Sequence, residues 1–318
     1  MNKPEEIERK LLEKLHAAWL TGRGVLDLHE IQKNNGWERV LFWNTVHKLV
    51  SDSIIKTYAH GGHYMISWLG IVKAEEAGLV AQEKLKELSD VRIAILRALA
   101  KLYDEKGTEY YDHYTQISEV TSIDPLVVMK QTDFLEDSGY LKSPADGAYH
   151  ITEFGRAELD DYETKLALMR KFEDISALKP QPRGRALQKL LAKRIGQEGW
   201  EQEEGVKTSN EEMDVVVFQG RDFYLIECKW EKEPIEAPVI RELFGKLENR
   251  AAVNGVLFSM SGFTSGAVKQ SEDYLNKRLI LLFGPIEAKA IFSYQRGFGD
   301  LLNEKYNAMV MRRSVMWS

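Results

Sequence analysis

Leu187, Leu190, Leu191 and Ile195 recur at the spacing of one helical face and predict an amphipathic helix over about residues 184–196. The period then changes. Residues 214–218 and 223–230 are short apolar runs on either side of the turn Gln219-Gly220-Arg221-Asp222, the pattern of a hairpin. A helix over about 237–250 follows, then an apolar strand at 255–260, a helix over 264–275, a strand at 278–283 and a helix from Pro285. Mixed strands with helices on both sides predict an α/β/α sandwich around a mixed central sheet for residues 179–318. The tail reads as helical from Gly297. Its apolar end (Met309, Val310, Met311, Val315, Met316 and Trp317) is expected to dock, with a dimer interface as the candidate surface.

The first half contains a repeat. A shift of 85 residues lays Asp52-Ser53 on Asp137-Ser138, and Gly62, Tyr64, Ile66 and Gly70 on Gly147, Tyr149, Ile151 and Gly155. Ser67 then meets Thr152, either of which can cap a helix N-terminus. In each copy two short strands flank a polar glycine turn, His60-Gly61-Gly62 or Ala145-Asp146-Gly147. Three helical stretches precede each hairpin, at roughly 4–20, 27–34 and 37–51, and at roughly 89–106, 111–119 and 124–138. Three helices followed by a two-stranded wing resembles the winged-helix family, a helix-turn-helix variant. The resemblance divides the chain into winged-helix modules at 1–88 and 89–178 and an α/β/α domain at 179–318. The fold class is therefore an α+β and α/β multidomain chain.

Charge refines this picture. The chain of 318 residues carries a net charge of −6, but unevenly. Residues 1–88 hold 12 basic and 12 acidic side chains, residues 89–178 hold 10 and 18, and residues 179–318 hold 21 and 19. Residues 179–197 contain Lys179, Arg183, Arg185, Lys189, Lys193 and Arg194 and no acid, a stripe suited to a phosphate backbone. In a winged helix the third helix enters the major groove. The first copy offers Arg39, Asn44, His47 and Lys48 there. The second offers Lys130 and Gln131 among Asp124, Asp133, Glu136 and Asp137, and acid repels phosphate, so this module is expected to dock a protein partner or a second copy. A single cysteine, Cys228, excludes a disulfide framework, and no apolar run is long enough to span a membrane. The expected location is the cytoplasm.

The candidate chemistry lies at Asp214 and at Glu227-Cys228-Lys229. Strand side chains alternate, so Glu227 and Lys229 share one face and Cys228 takes the other. A Glu and a Lys on a strand otherwise reading Phe-Tyr-Leu-Ile are expensive unless paired or liganded. If Asp214 ends the adjacent strand, three charged groups converge at the sheet edge. Two carboxylates and a phosphate oxygen make a hard oxygen site suited to Mg²⁺, and the lysine can orient a water or offset charge on phosphorus. Glu-x-Lys occurs four times, at Glu8, Glu163, Glu227 and Glu287, and only the Glu227 copy sits in an apolar strand. The competing reading of that copy is an exposed salt bridge on an edge strand.

The order of basic helix, Asp strand, Glu-x-Lys strand, helix, strand and helix resembles the PD-(D/E)xK nuclease superfamily, specifically its Mrr-like restriction endonuclease domain. The matching residues are Arg183-Gly184-Arg185-Ala186-Leu187, Met213-Asp214, Leu225 to Trp230, and Gly262-Phe263-Thr264-Ser265-Gly266-Ala267. The resemblance covers about residues 183–292. It implies Mg²⁺-dependent cleavage of DNA phosphodiesters, with Mn²⁺ substituting, Asp214 and Glu227 as metal ligands and Lys229 as base or stabiliser. Two positions depart from the family pattern. Met213 replaces the leading proline, and Gln188 stands where the opening helix often carries a glutamate, which implies a weaker metal site.

The expected function is a restriction-type DNA endonuclease acting in defence against foreign DNA. Arg183, Arg185, Lys189 and Lys193, with Arg39, Asn44 and Lys48, form the expected DNA surface, and the expected assembly is a homodimer. Two readings compete with it. One is a winged-helix DNA-binding regulator or adaptor with a weak or inactive nuclease-like domain, and the other is a nuclease acting on RNA or branched DNA.

Overall fold

The computed structural model describes residues 3–22, 24–58, 62–107, 112–145, 147–207, 212–250 and 253–315, without the side chains of Gln181, residues 204–207 and residues 212–214. His60, Gly61, Asp146, Met316 and Trp317 lie outside the described residues. The chain divides into two compact units, Met1–Asp161 and Tyr162–Ser318.

In the first unit one order of elements occurs twice. The first copy comprises α1 (Lys3–Thr21), β1 (Val25–Asp27), α2 (Leu28–Asn35), α3 (Arg39–Ser51), β2 (Ile55–Thr57), β3 (His63–Ile66) and α4 (Trp68–Glu76). The second comprises α5 (Gln82–Lys106), β4 (Asp112–His113), α6 (Tyr114–Thr121), α7 (Pro125–Asp137), β5 (Leu141–Ala145), β6 (Ala148–Ile151) and the start of α8 (Glu153–Ile175), whose residues after Asp161 belong to the second unit. Position 88 lies inside α5, which is continuous across it. Each copy holds a three-stranded antiparallel sheet, ordered β1-β3-β2 or β4-β6-β5.

The strand-to-helix junctions share their chemistry. Ser67 Oγ accepts the Gly70 N–H at 3.1 Å and donates toward the carbonyls of Ser53 and Ile54. Thr152 Oγ1 accepts the Gly155 N–H at 3.0 Å and donates toward Gly139 and Tyr140. A Cβ on Gly70 or Gly155 would lie 2.2 Å from the Ile54 or Tyr140 carbonyl oxygen, so both junctions require glycine. The structural register corrects the expected one. Ser53 matches Gly139 and not Ser138: both adopt left-handed φ, 58° and 83°, just after α3 and α7. The helices repeat at an offset of 86 (Arg39 to Pro125) and the hairpin glycines at 85 (Gly62 to Gly147), because the first hairpin is one residue longer.

Buried and half-buried polar groups join the two copies. Glu75 takes both terminal nitrogens of Arg92 at 2.9 and 2.7 Å, and Arg92 Nε donates to Gln131. Lys130 donates to the Leu20 carbonyl at 3.2 Å. Lys130 and Gln131, the basic and amide groups noted on the second copy's third helix, are therefore buried. Arg39, Asn44, His47 and Lys48 are exposed on α3.

The second unit continues with α9 (Pro180–Gly196), β7 (Glu201–Lys207), β8 (Glu212–Gln219), β9 (Asp222–Lys229), α10 (Ala237–Glu248), β10 (Val253–Ser259), α11 (Ser265–Asp273), β11 (Ile280–Phe283), α12 (Pro285–Phe292) and α13 (Phe298–Arg312). The five strands form one mixed sheet, β11-β10-β9-β8-β7, parallel from β9 to β11 and antiparallel from β7 to β9. Strand β7 escapes the hydrophobic pattern, because its opening Glu201-Gln202-Glu203-Glu204 has no apolar alternation and it pairs only with β8.

Both sheet faces are covered. Leu187, Leu191 and Ile195 of α9, with Ile291 of α12 and Phe298 of α13, pack on Ile226, Cys228, Val256, Phe258 and Phe283. On the other face Ile240, Leu243 and Leu247 of α10 and Ala267 of α11 meet Leu225, Leu257, Ile280 and Leu282. Val315 joins this second core, so part of the apolar tail docks within its own unit. Val310 and Met311 remain exposed.

Candidate active site

Strand β9 is the middle strand of the sheet, and Glu227 and Lys229 stand at its C-terminal end. Parallel pairing sets Glu227 beside Leu257 and Lys229 beside Ser259 of β10. On the other side Val215 pairs with Ile226, so Asp214, the preceding residue of β8, stands next to Glu227 along the two strands. The side chain of Asp214 is outside the described residues. The acid–lysine pair is thus at the end of a central strand, not at a sheet edge.

The alternation expected for this strand is present, with Cys228 in the core shared with α9 and Glu227 on the face covered by α10. Glu227 is only 5% exposed. Its Oε1 lies 2.9 Å from Lys229 Nζ and its Oε2 lies 2.7 Å from Lys246 Nζ. An exposed edge-strand salt bridge does not describe such a group. Burial pushes the Glu227 carboxyl up, but hydrogen bonds and charge from Lys246 and Lys229 outweigh it and hold the group below the usual carboxylate range. The carboxylate is therefore ionised at neutral pH.

Lys246 is absent from the sequence-derived residues. It sits on α10, one turn after Leu243 and beside Leu247, the buried residues that fix that helix to the sheet. Close packing aids this placement: a Cβ on Gly255 of β10 would come within 2.8 Å of Leu247 Cδ1. Its only sequence signal is a lysine on the apolar side of a strongly amphipathic helix, at Leu243 plus three.

The basic helix approaches the same strand end. Arg183 donates to the Trp230 carbonyl at 3.2 Å and its guanidinium lies 4.9 Å from the centre of the Trp230 ring, against the residue that follows Lys229. Arg185, Lys189 and Lys193 are exposed on α9, and Gln188 is half-buried there. Arg194, counted in the basic stripe, is buried, bonded to the Ile291 carbonyl at 3.0 Å and to Glu198 at 2.8 Å. It supports the fold instead of facing outward.

A buried, ionised carboxylate with a second acid on the adjoining strand supplies the hard oxygen donors that Mg²⁺ or Mn²⁺ prefers, and Mg²⁺ sites often use only two protein carboxylates. Among the described residues no group of three or more His, Cys, Asp or Glu side chains gathers to hold a metal. No helix among them is long and apolar enough to cross a membrane.

No curated protein matches the chain. Among solved structures it is similar to a protein of unknown function, AF1548, at 20% identity over 37% of this chain and 65% of that one, with a TM-score of 0.27. It is similar to the MspJI restriction endonuclease, solved in complex with a 27-mer oligonucleotide, at 16% identity over 46% of this chain and 35% of that one, with a TM-score of 0.28. A third is the FokI restriction endonuclease bound to DNA, at 11% identity over 88% of this chain and 62% of that one, with a TM-score of 0.32. Residues 181–285 match the family model Mrr_cat, described as a restriction endonuclease. That span takes in the basic helix, β8, the Glu227–Lys229 strand end and Lys246, and the chain therefore carries a restriction endonuclease domain of the Mrr_cat family at residues 181–285.

Proposed function

We propose that this protein is a divalent-metal-dependent DNA endonuclease of restriction type, acting in defence against foreign DNA. The observation that carries this reading is a buried, ionised Glu227 beside Lys229, at the end of the central strand and within the restriction endonuclease match. Asp214 and Glu227 hold the cation, Mg²⁺ or Mn²⁺. When bound, it offsets charge on the scissile phosphate and makes an attacking water easier to deprotonate. Lys229, with its ammonium at the mouth of the site, orients that water and steadies the charge that builds on phosphorus. Gln188 acts from the opening helix as a neutral hydrogen-bonding group.

Arg185, Lys189 and Lys193 form an exposed basic row leading from the strand end and bind the phosphate backbone. Arg183 lies on a different face of the helix, against Trp230 at the strand end. The two copies in residues 1–161 act as winged helix-turn-helix modules. The first uses Arg39, Asn44 and Lys48 on DNA, and the acidic second, from 89 to 178, docks a protein partner or a second copy. One centre cuts one strand, so cutting both fits a twofold homodimer. The protein works in the cytoplasm.

One observation favours the regulator reading: both oxygens of Glu227 are already held by ammonium groups. Incubating purified protein with supercoiled plasmid, with and without Mg²⁺ or Mn²⁺, decides between them. Nicked or linear product that requires the ion and vanishes in Glu227→Gln is expected. An intact plasmid under every metal makes the regulator reading the better one.

A further inference from the structure

We propose that Lys246 is a positioning residue that holds the cation side of Glu227 while no metal ion is bound, and so sets how tightly the site takes a metal. This rests on the reading of Glu227 as a metal ligand. Lys229 and Glu227 are two residues apart on one strand, so the pleat puts them on one face, where they meet at 2.9 Å. Lys246 comes from a different element, and α10 delivers it to the other oxygen, Oε2, at 2.7 Å.

One ammonium is enough to neutralise one carboxylate. With two, Glu227 and its two partners carry a net charge of about +1. A divalent ion entering that cationic set must take an oxygen from an ammonium or add its two positive charges to the one in excess. Either is costly where the carboxylate is almost fully buried. Lys246 is the group that yields: it reaches Glu227 from a separate helix, whereas Lys229, the more exposed of the two at 28% against 18%, is the lysine assigned to the attacking water. A DNA phosphodiester brings the negative charge that receives the displaced ammonium, so metal and DNA bind more tightly together than apart.

The test is calorimetric titration of MnCl₂ into the full chain without DNA, for the parent, Lys246→Gln, Lys246→Arg and Glu227→Gln. Lys246→Gln is expected to bind Mn²⁺ roughly tenfold more tightly than the parent. Lys246→Arg, which keeps the charge, is expected to stay near the parent, and Glu227→Gln to lose binding. A gain in affinity cannot arise from misfolding, and a lysine that merely braced the fold would give none. Unchanged or weaker binding in Lys246→Gln, with binding still lost in Glu227→Gln, overturns the role of Lys246 and leaves Glu227 as a ligand. Parent-like binding in Glu227→Gln, or no binding in either the parent or Lys246→Gln, overturns the ligand reading and this proposal with it.

Discussion

Lys246 Nζ lies 2.7 Å from Oε2 of Glu227, on the side of the carboxylate away from Lys229, so one buried acid is held between a helix and its own strand. The contact links α10 to β9 through charge as well as through Leu243 and Leu247. A double-mutant cycle with Glu227→Gln and Lys246→Gln, read by urea unfolding, should return a coupling of about 1–3 kcal/mol. Glu227→Gln alone should destabilise the domain, because it leaves two ammonium groups facing a neutral amide. Additive effects within about 0.3 kcal/mol would mean that the pair is not formed in solution.

Asp214→Ala and Lys229→Ala should both abolish cleavage but move DNA binding in opposite directions. Without metal, removing Asp214 makes the surface facing phosphate less negative, so binding stays the same or tightens. Removing Lys229 takes a cation from Glu227 and weakens metal-free binding slightly. Fluorescence anisotropy with a labelled duplex in EDTA reads both. Cleavage at the parental rate in either variant would show that the centre lies elsewhere.

Along α9 the basic residues should separate into two kinds. Arg185, Lys189 and Lys193 are exposed, and changing them to glutamine should leave the melting temperature alone. Every phosphate-binding cation removed should flatten the slope of log K against log salt by roughly one. Arg183 is tied to the Trp230 carbonyl, so Arg183→Gln should lower the melting temperature as well as DNA affinity. An unchanged salt slope in the triple variant would move the DNA surface away from this helix.

In the first unit, Glu75 should make stability sensitive to acid. Burial raises its carboxyl, but the His16 ring nitrogen 3.6 Å away and the paired hydrogen bonds from Arg92 outweigh this and leave it below the ordinary value of 4.5. A lowered folded value means that the stabilisation is fully present above 4.5 and is lost as pH falls through the lower folded value. Amide exchange in α1, α4 and α5 should therefore accelerate in the parent below pH 4.5, and much less so in Glu75→Gln. Equal acceleration in both would remove Glu75 as the source.

The sequence by itself determined whatever depends on local period and composition. The apolar spacing of Leu187, Leu190, Leu191 and Ile195 defined α9, and the apolar run before Glu227 defined β9 with its two faces. Glycine and hydroxyl positions at Ser67/Gly70 and Thr152/Gly155 marked the duplicated junctions, because capping is a short-range interaction. Tertiary structure decided the rest. Strand β7 has no apolar signal and exists through its pairing with β8. The burial of Lys130, Gln131 and Arg194 depends on which elements cover them, and neighbours distant in the chain do so. Lys246 became part of the site for the same reason: nineteen residues separate it from Glu227, and only the packing of α10 across the sheet brings the two charges together.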